Sequence, residues 1–238
     1  MIKKLVLLAF ILSGLKSYAW EHESFIKGNL NIGATTPYSM PKNITVAGFN
    51  PLFTPSVSYE ISVYRLNSFK VFTGLRYEAK GMHVKADVKG YYTEFYQNGS
   101  QLSGYFTGAN DTKAYNSYMS LPVKAVYELN SKWSIYGGGY LSYNISSKFN
   151  GYARDGYIWI DNNTNKIQVT EGEFDFSKNV QKWDAGLEFG TKRMINSRLG
   201  VDVNLTTGLV PLFGKDFKSI TFSMYNVFLG VGVSYKLK

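Results

Sequence analysis

The residues able to do chemistry are few, and their spacing limits what each could do. His22-Glu23-Ser24 sets an imidazole two positions from a hydroxyl, the pairing by which a hydrolase turns serine into a nucleophile. It opens the mature chain, ahead of any scaffold that could orient it, and reads as an unstructured tail. His83, the only other histidine, stands between Met82 and Val84 with no serine two residues away. Asp161, Asn163 and Asn165 have the spacing of the first ligands of a calcium loop. Such a loop needs Gly at its sixth position and Glu at its twelfth, where this chain has Lys166 and Gly172. The segment therefore reads as a polar turn between Tyr157-Ile158-Trp159-Ile160 and Ile167-Gln168-Val169-Thr170. With no cysteine there is no thiolate catalysis, disulfide framework or cysteine-based metal site. A phosphate loop and a nucleotide fingerprint are also missing, so the expectation is no catalytic residue, no metal and no cofactor.

Composition indicates what kind of element carries these residues. Of 238 residues, 45% are hydrophobic, 16% aromatic and 18% charged, with 23 Gly. Typical soluble domains carry about 25% charge, and a chain this apolar is not disordered. No stretch after the N-terminus reaches the ~18 apolar residues of a membrane helix. Lys3 and Lys4, the apolar run Leu5 to Leu12, and Ser17 and Ala19 before Trp20 make residues 1–19 a cleavable signal peptide. Residues 20–238 are then a single exported domain. Without Lys3, Lys4 and Lys16 it has 23 basic and 17 acidic residues. They are spread along the chain with no basic block, so nucleic acid is not expected as a partner.

What recurs is a long strand, a short turn and a long strand. Tyr225, Val227, Leu229, Val231, Val233, Tyr235 and Leu237 alternate with mostly small or polar residues, the period of a half-buried strand. The same alternation runs through 56–63, 69–78, 120–129, 133–145, 183–190 and 199–206, and more weakly from Phe25 to Ala34, giving eight strands. Three connections are short: Leu66-Asn67-Ser68, Asn130-Ser131-Lys132 and Ile195-Asn196-Ser197. The apolar face keeps odd numbering across each, so three-residue hairpins are expected, with Asn tolerating a left-handed conformation. The other connections, 36–53, 82–114, 148–177 and 209–219, are long. Tight turns at one end and long loops at the other predict an all-β, eight-stranded, antiparallel up-and-down transmembrane barrel, with short periplasmic turns and long extracellular loops.

Volume decides which face points out. An eight-stranded barrel has an interior just wide enough for side chains, and Trp133, Trp183, Tyr59, Tyr127, Phe189 and the other bulky residues of the apolar face would crowd it. Put outward, they meet lipid. The inner face then carries Lys70, Arg76, Lys80, Lys124, Lys192 and Lys236 against Glu60, Glu78, Glu128, Asp184, Glu188 and Asp202. Six charges of each sign predict a paired network, joined by Tyr64, Tyr136 and Tyr140, that plugs the lumen. Water-filled porins generally need about sixteen strands.

Tyr118-Met119-Ser120-Leu121-Pro122-Val123-Lys124, then Tyr136-Gly137-Gly138-Gly139-Tyr140-Leu141 across a tight turn, resembles the PorT-like outer-membrane β-barrel family. Asp184-Ala185-Gly186-Leu187-Glu188-Phe189-Gly190 and Gly208-Leu209 continue the likeness over most of the mature chain. The resemblance implies an OmpA-like barrel typical of Bacteroidetes, inserted by the barrel-assembly machinery; one member of the family is associated with protein secretion. The chain departs from many such barrels by ending Tyr235-Lys236-Leu237-Lys238 instead of on an aromatic residue.

Two long loops are rich in aromatics: Tyr91, Tyr92, Phe95 and Tyr96 in 82–114, and Tyr157 and Trp159 in 148–177. They suit recognition of proteins or glycans, or else pack in extended strand ends or against lipopolysaccharide. The expected protein is thus a non-enzymatic outer-membrane barrel with a plugged lumen. Its partners are outer-membrane lipid, lipopolysaccharide and envelope proteins, and a secretion-accessory role fits. A small pore and a lipid-modifying enzyme are the alternatives.

Overall fold

The computed structural model describes residues 22–160 and 165–237. The signal segment 1–19, Asp161 and Asn163 lie outside the described residues. Among the described residues eleven strands form: β1 (Ser24–Thr36), β2 (Ile44–Pro51), β3 (Thr54–Leu66), β4 (Phe69–Gln97), β5 (Ser100–Glu128), β6 (Trp133–Ser146), β7 (Phe149–Ile160), β8 (Asn165–Asp175), β9 (Trp183–Met194), β10 (Leu199–Gly208) and β11 (Tyr225–Lys236). Every ladder is antiparallel, and the one helical piece among the described residues is a single 3-10 turn at Ser177–Asn179.

The count corrects the eight strands expected, because three strands form in segments read as loops. β2 lies within 36–53, and β7 and β8 within 148–177. Residues 82–114 are no loop either, since β4 and β5 run 29 residues each. Asn98 and Gly99, at φ 51° and 78°, turn the chain between the paired residues Gln97 and Ser100. Positive φ at both central residues is the two-residue hairpin turn that an Asn-Gly step favours.

Around the sheet, β1 pairs with β3, β3 with β4, β4 with β5, β5 with β6 and β6 with β9. β9 then pairs with β10, β10 with β11, and β11 with β1. This barrel-like sheet brings the start of β1, the end of β11 and the three short turns to one end. Beyond it, β2 joins the far part of β4, while β7 and β8 continue from the far part of β5. These strands build an extension on the opposite end.

Two of the short turns hold three residues, 130–132 and 196–198, with Leu129 and Ile195 amides bonded to the Trp133 and Leu199 carbonyls. Asn130 and Asn196 act there through their side chains and not through a left-handed backbone: each Oδ1 accepts two backbone N–H groups, from Lys132 and Trp133 and from Arg198 and Leu199, at 2.8–2.9 Å. The first turn has two residues, Asn67 and Ser68, since Leu66 pairs with Phe69, and Asn67 is left-handed at φ 53°. A bulge between Ser62 and Tyr64 restores the parity. It also turns Tyr64 outward, 42% exposed, so Tyr64 does not join the lumen as expected.

Within the ring the alternation sorts side chains by polarity. Ile26, Val57, Tyr59, Leu75, Leu121, Leu141 and Val233 are exposed, while Lys27, Ser58, Glu60, Arg76, Ser120, Ser142 and Ser234 are buried. The extension has the opposite sorting. Its buried core is Met82, Val88, Tyr91, Phe95, Phe106, Phe149, Ile158, Val169, Phe174, Phe176, Phe213 and their neighbours.

Candidate functional site

Strand alternation turns the expected charges inward, and eight of the twelve link to one another, with Lys27 of β1 as a ninth. They form one line of ion pairs in which the sign alternates. Asp202 meets Lys27 at 2.7 Å, Lys27 meets Glu60 at 3.2 Å, and Glu60 meets Lys124 at 2.6 Å. Lys124 reaches Glu188 at 3.6 Å, and Glu188 bonds Arg76 at 2.6 Å. Arg76 then meets Glu78 at 3.4 Å, Glu78 meets Lys80 at 3.7 Å, and Lys80 meets Asp184 at 3.3 Å. Four cations thus stand against five carboxylates, all buried. Removing such charges from water is tolerable only when each is paired, and this line gives each of its four cations two anions.

Tyrosines pack over the cations. Lys27 and Lys124 flank the Tyr136 ring at 5.2 and 4.5 Å, and Lys80 lies 4.7 Å from Tyr140 and 5.1 Å from Tyr118, a favourable arrangement for a cation out of water. Glycines make room for two of these rings. Gly190 pairs with Tyr136 and Gly186 with Tyr140 across β6 and β9, and a Cβ at either glycine would run into the ring.

The remaining expected charges lie toward the end with the short turns. Lys70 is held by Glu23 at 2.8 Å and Glu128 at 2.6 Å, and Lys236 meets Glu23 at 3.1 Å. Glu128 sits at the rim, 37% exposed. Lys192 rests its ammonium 3.6 Å from the Phe25 ring centre. Glu23 and Lys27 were missed by sequence. The signal for Lys27 was present: Phe25, Lys27 and Asn31 are buried while Ile26 and Leu30 are exposed, so β1 simply runs with the opposite parity.

The histidine constellations resolve into structural contacts. His22 Nδ1 faces the Ser62 carbonyl oxygen at 2.9 Å, and the Glu23 amide donates to Ser62 Oγ. His22-Glu23-Ser24 is therefore tied down and is not the loose tail expected. His83 Nε2 bonds Asp111 at 2.7 Å on the neighbouring strand, an imidazole–carboxylate pair.

In the extension, Tyr91 and Phe95 are buried in the apolar core and do not face a partner. Tyr91 donates to the Ser219 carbonyl at 2.8 Å, and burial pushes its hydroxyl pKa up. Tyr96 is exposed, and Tyr92, Tyr157 and Trp159 are half-buried on the outer surface. Register lines up Tyr92, Tyr105, Trp159 and Lys166 in one row across β4, β5, β7 and β8. Tyr92 and Tyr105 meet edge to face at 5.6 Å, and the Lys166 ammonium lies 4.0 Å from the Tyr157 ring centre. Asn165, the described member of the calcium spacing, opens β8 in the strand pair with Ile160.

Residues 23–214 match the family described as outer membrane protein beta-barrel domain. No curated protein matches the chain. Among solved structures, Neisserial surface protein A is 12% identical with a TM-score of 0.42, over 91% of this chain and 97% of that one. The attachment invasion locus protein Ail of Yersinia pestis, solved with the heparin analogue sucrose octasulfate, is 12% identical with a TM-score of 0.39 over the same shares. Outer Membrane Protein W of E. coli is 12% identical with a TM-score of 0.34, over 92% of this chain and all of that one.

Proposed function

The chain belongs to the outer membrane protein beta-barrel domain family, and from that premise we propose that its eight-strand ring is a closed transmembrane barrel whose plugged lumen serves as a rigid stalk for the extension outside the cell. Outer-membrane localisation follows from the family; export by the signal peptide 1–19, with cleavage after Ala19, is part of the proposal. So is membership of the PorT-like group of Bacteroidetes, with a secretion-accessory role as one form the work takes.

The observation that carries this reading is the line of ion pairs from Asp202 to Asp184. A conducting pore leaves its lumen charges to water, whereas these are buried and matched sign by sign under Tyr118, Tyr136 and Tyr140. The exposed face of the ring suits lipid, since large exposed apolar surfaces are rare on soluble monomers. A non-enzymatic role is supported by the two histidines, which bond a backbone carbonyl and an aspartate. The partner surface is then the row Tyr92, Tyr105 and Trp159 with Lys166, and aromatic residues beside a cation suit an envelope protein or the sugars of lipopolysaccharide. The barrel-assembly machinery is the partner during insertion.

Reconstitution in planar bilayers tests the plug. The purified protein stays silent in potassium chloride while migrating on gels with the heat-dependent shift of a folded barrel. Steady single-channel conductance from protein that shows the shift would refute the stalk and make the protein a small pore.

A further inference from the structure

The extension contains a cavity that the barrel does not need. It measures about 360 Å³, and its wall includes Thr36, Ile44, Val46, Val84, Ala86 and Phe222. Among the described residues, no charged side chain lines it. Small-molecule sites usually measure about 300–1,000 Å³ and are mainly apolar with a few polar groups, which Thr93, Thr112 and Asn110 supply here. At the ~30 Å³ that a water takes in the liquid, a size close to a methylene, the space holds a chain of roughly a dozen carbons.

Strand pairing shows how such a chain would enter. The last β1–β3 pair is Asn31 with Thr54. Above it, β1 continues to Thr36 bonded only to β11, while β2 is bonded only to β4. No ladder joins β1 to β2, and residues of both line the cavity. The notch between them lies just above the lipid-facing belt. Its surroundings are apolar, with Met40, Val46, Phe49 and Phe53 all exposed. The segment 37–53 that borders it carries Lys42 and no acidic residue.

We propose that this notch admits one acyl chain of an anionic membrane lipid into the cavity, with the head group left outside near Lys42. An uncharged wall accepts the chain, the continuity of apolar surface lets it arrive from the bilayer, and the lone cation of the bordering segment selects an anionic head. The inference rests on the membrane reading of the ring, and the gel shift tests that reading separately.

The test is native mass spectrometry of the full protein released from nanodiscs of phosphatidylcholine doped with phosphatidylglycerol. One phosphatidylglycerol remains bound to the wild type. Ala86→Phe, which fills the cavity, lowers the retained fraction about tenfold while the heat-dependent gel shift persists; Thr112→Phe does the same should the first variant fail to fold. Lys42→Gln keeps a lipid but no longer prefers phosphatidylglycerol. Equal retention by wild type and a folded cavity-filled variant, or no retention by wild type, overturns the proposal. Retention of added dodecanoic acid with no phospholipid overturns it as well, because the occupant would then be a free fatty acid.

Discussion

β4 and β5 pass through two regions built on opposite principles. In the ring they bury Lys70, Arg76, Glu78, Lys80 and Lys124 and expose Leu75, Leu121 and Val123; in the extension they bury Val88, Phe95 and Phe106 and expose Lys85, Asp87 and Tyr96. The changeover takes a few residues. From Glu78 to Met82 every residue of β4 is buried, whichever face it serves. The fold is continuous across this boundary, and on the proposed placement what changes is the medium outside it. Against hydrocarbon the outward side chains are apolar and the polar ones must find partners inside. Against water the ordinary hydrophobic effect returns and fills the interior with aromatics.

Breaking the interior of each region should therefore give different responses. The largest effect is expected from Arg76→Met, which takes from Glu188 and Glu78 the cation they share and leaves each with only its longer contact, to Lys124 at 3.6 Å and to Lys80 at 3.7 Å. Removing one member of a buried ion pair costs about 3–5 kcal/mol, read as a lower urea midpoint for loss of the heat-dependent gel shift. Ile158→Ala, in the apolar core of the extension, costs about 2–4 kcal/mol. Its damage should appear as protease cleavage of the extension with the gel shift intact; joint loss of both would show that the two regions unfold as one. Asn98→Ala puts an ordinary residue into a left-handed turn position at a cost of about 1 kcal/mol, seen as faster amide exchange near Gln97 and Ser100 alone.

The smallest effect concerns the rim. Burial resists ionisation of Glu23, but the Lys70 and Lys236 ammonium groups bonded to it outweigh that and hold its carboxyl below the ordinary range. A lowered carboxyl stabilises the fold above the unfolded pKa and loses that contribution as pH falls through the folded one. Protection of the Leu237 amide, which bonds Ser24, measured against its intrinsic exchange rate at each pH, should fall on acidification below the carboxylate range. In Glu23→Gln that protection should be low already and should not change with pH.

Much of the ring could be read in the chain. Alternation from Tyr225 to Leu237 or from Leu121 to Leu129 needs no tertiary information to assign its faces, because period two is a property of the strand itself. The charges Glu60, Arg76, Glu78, Lys80, Lys124, Asp184, Glu188 and Asp202 followed from it. Parity failed where the backbone departs from regular pairing, at the bulge that turns out Tyr64. It was also passed over in β1, where Lys27 lies on the odd-numbered face. The extension was less legible. Asn98-Gly99 is a strong hairpin signal inside a segment whose length and polarity suggest a loop, and Tyr91 and Phe95 take inner positions that aromatic composition does not distinguish from the outer ones of Tyr92 and Tyr96.

By itself the sequence determined the strand-rich architecture, the apolar outer face of the ring and the balance of charge within it, since each depends on local alternation and on the volume an eight-strand interior can hold. Only the tertiary structure decided which carboxylate meets which cation, that loop-like segments become β2, β7 and β8, and that β1 and β2 part to leave a cavity. Those outcomes depend on register between strands distant in sequence. A shift of one residue there sends every side chain to the other face.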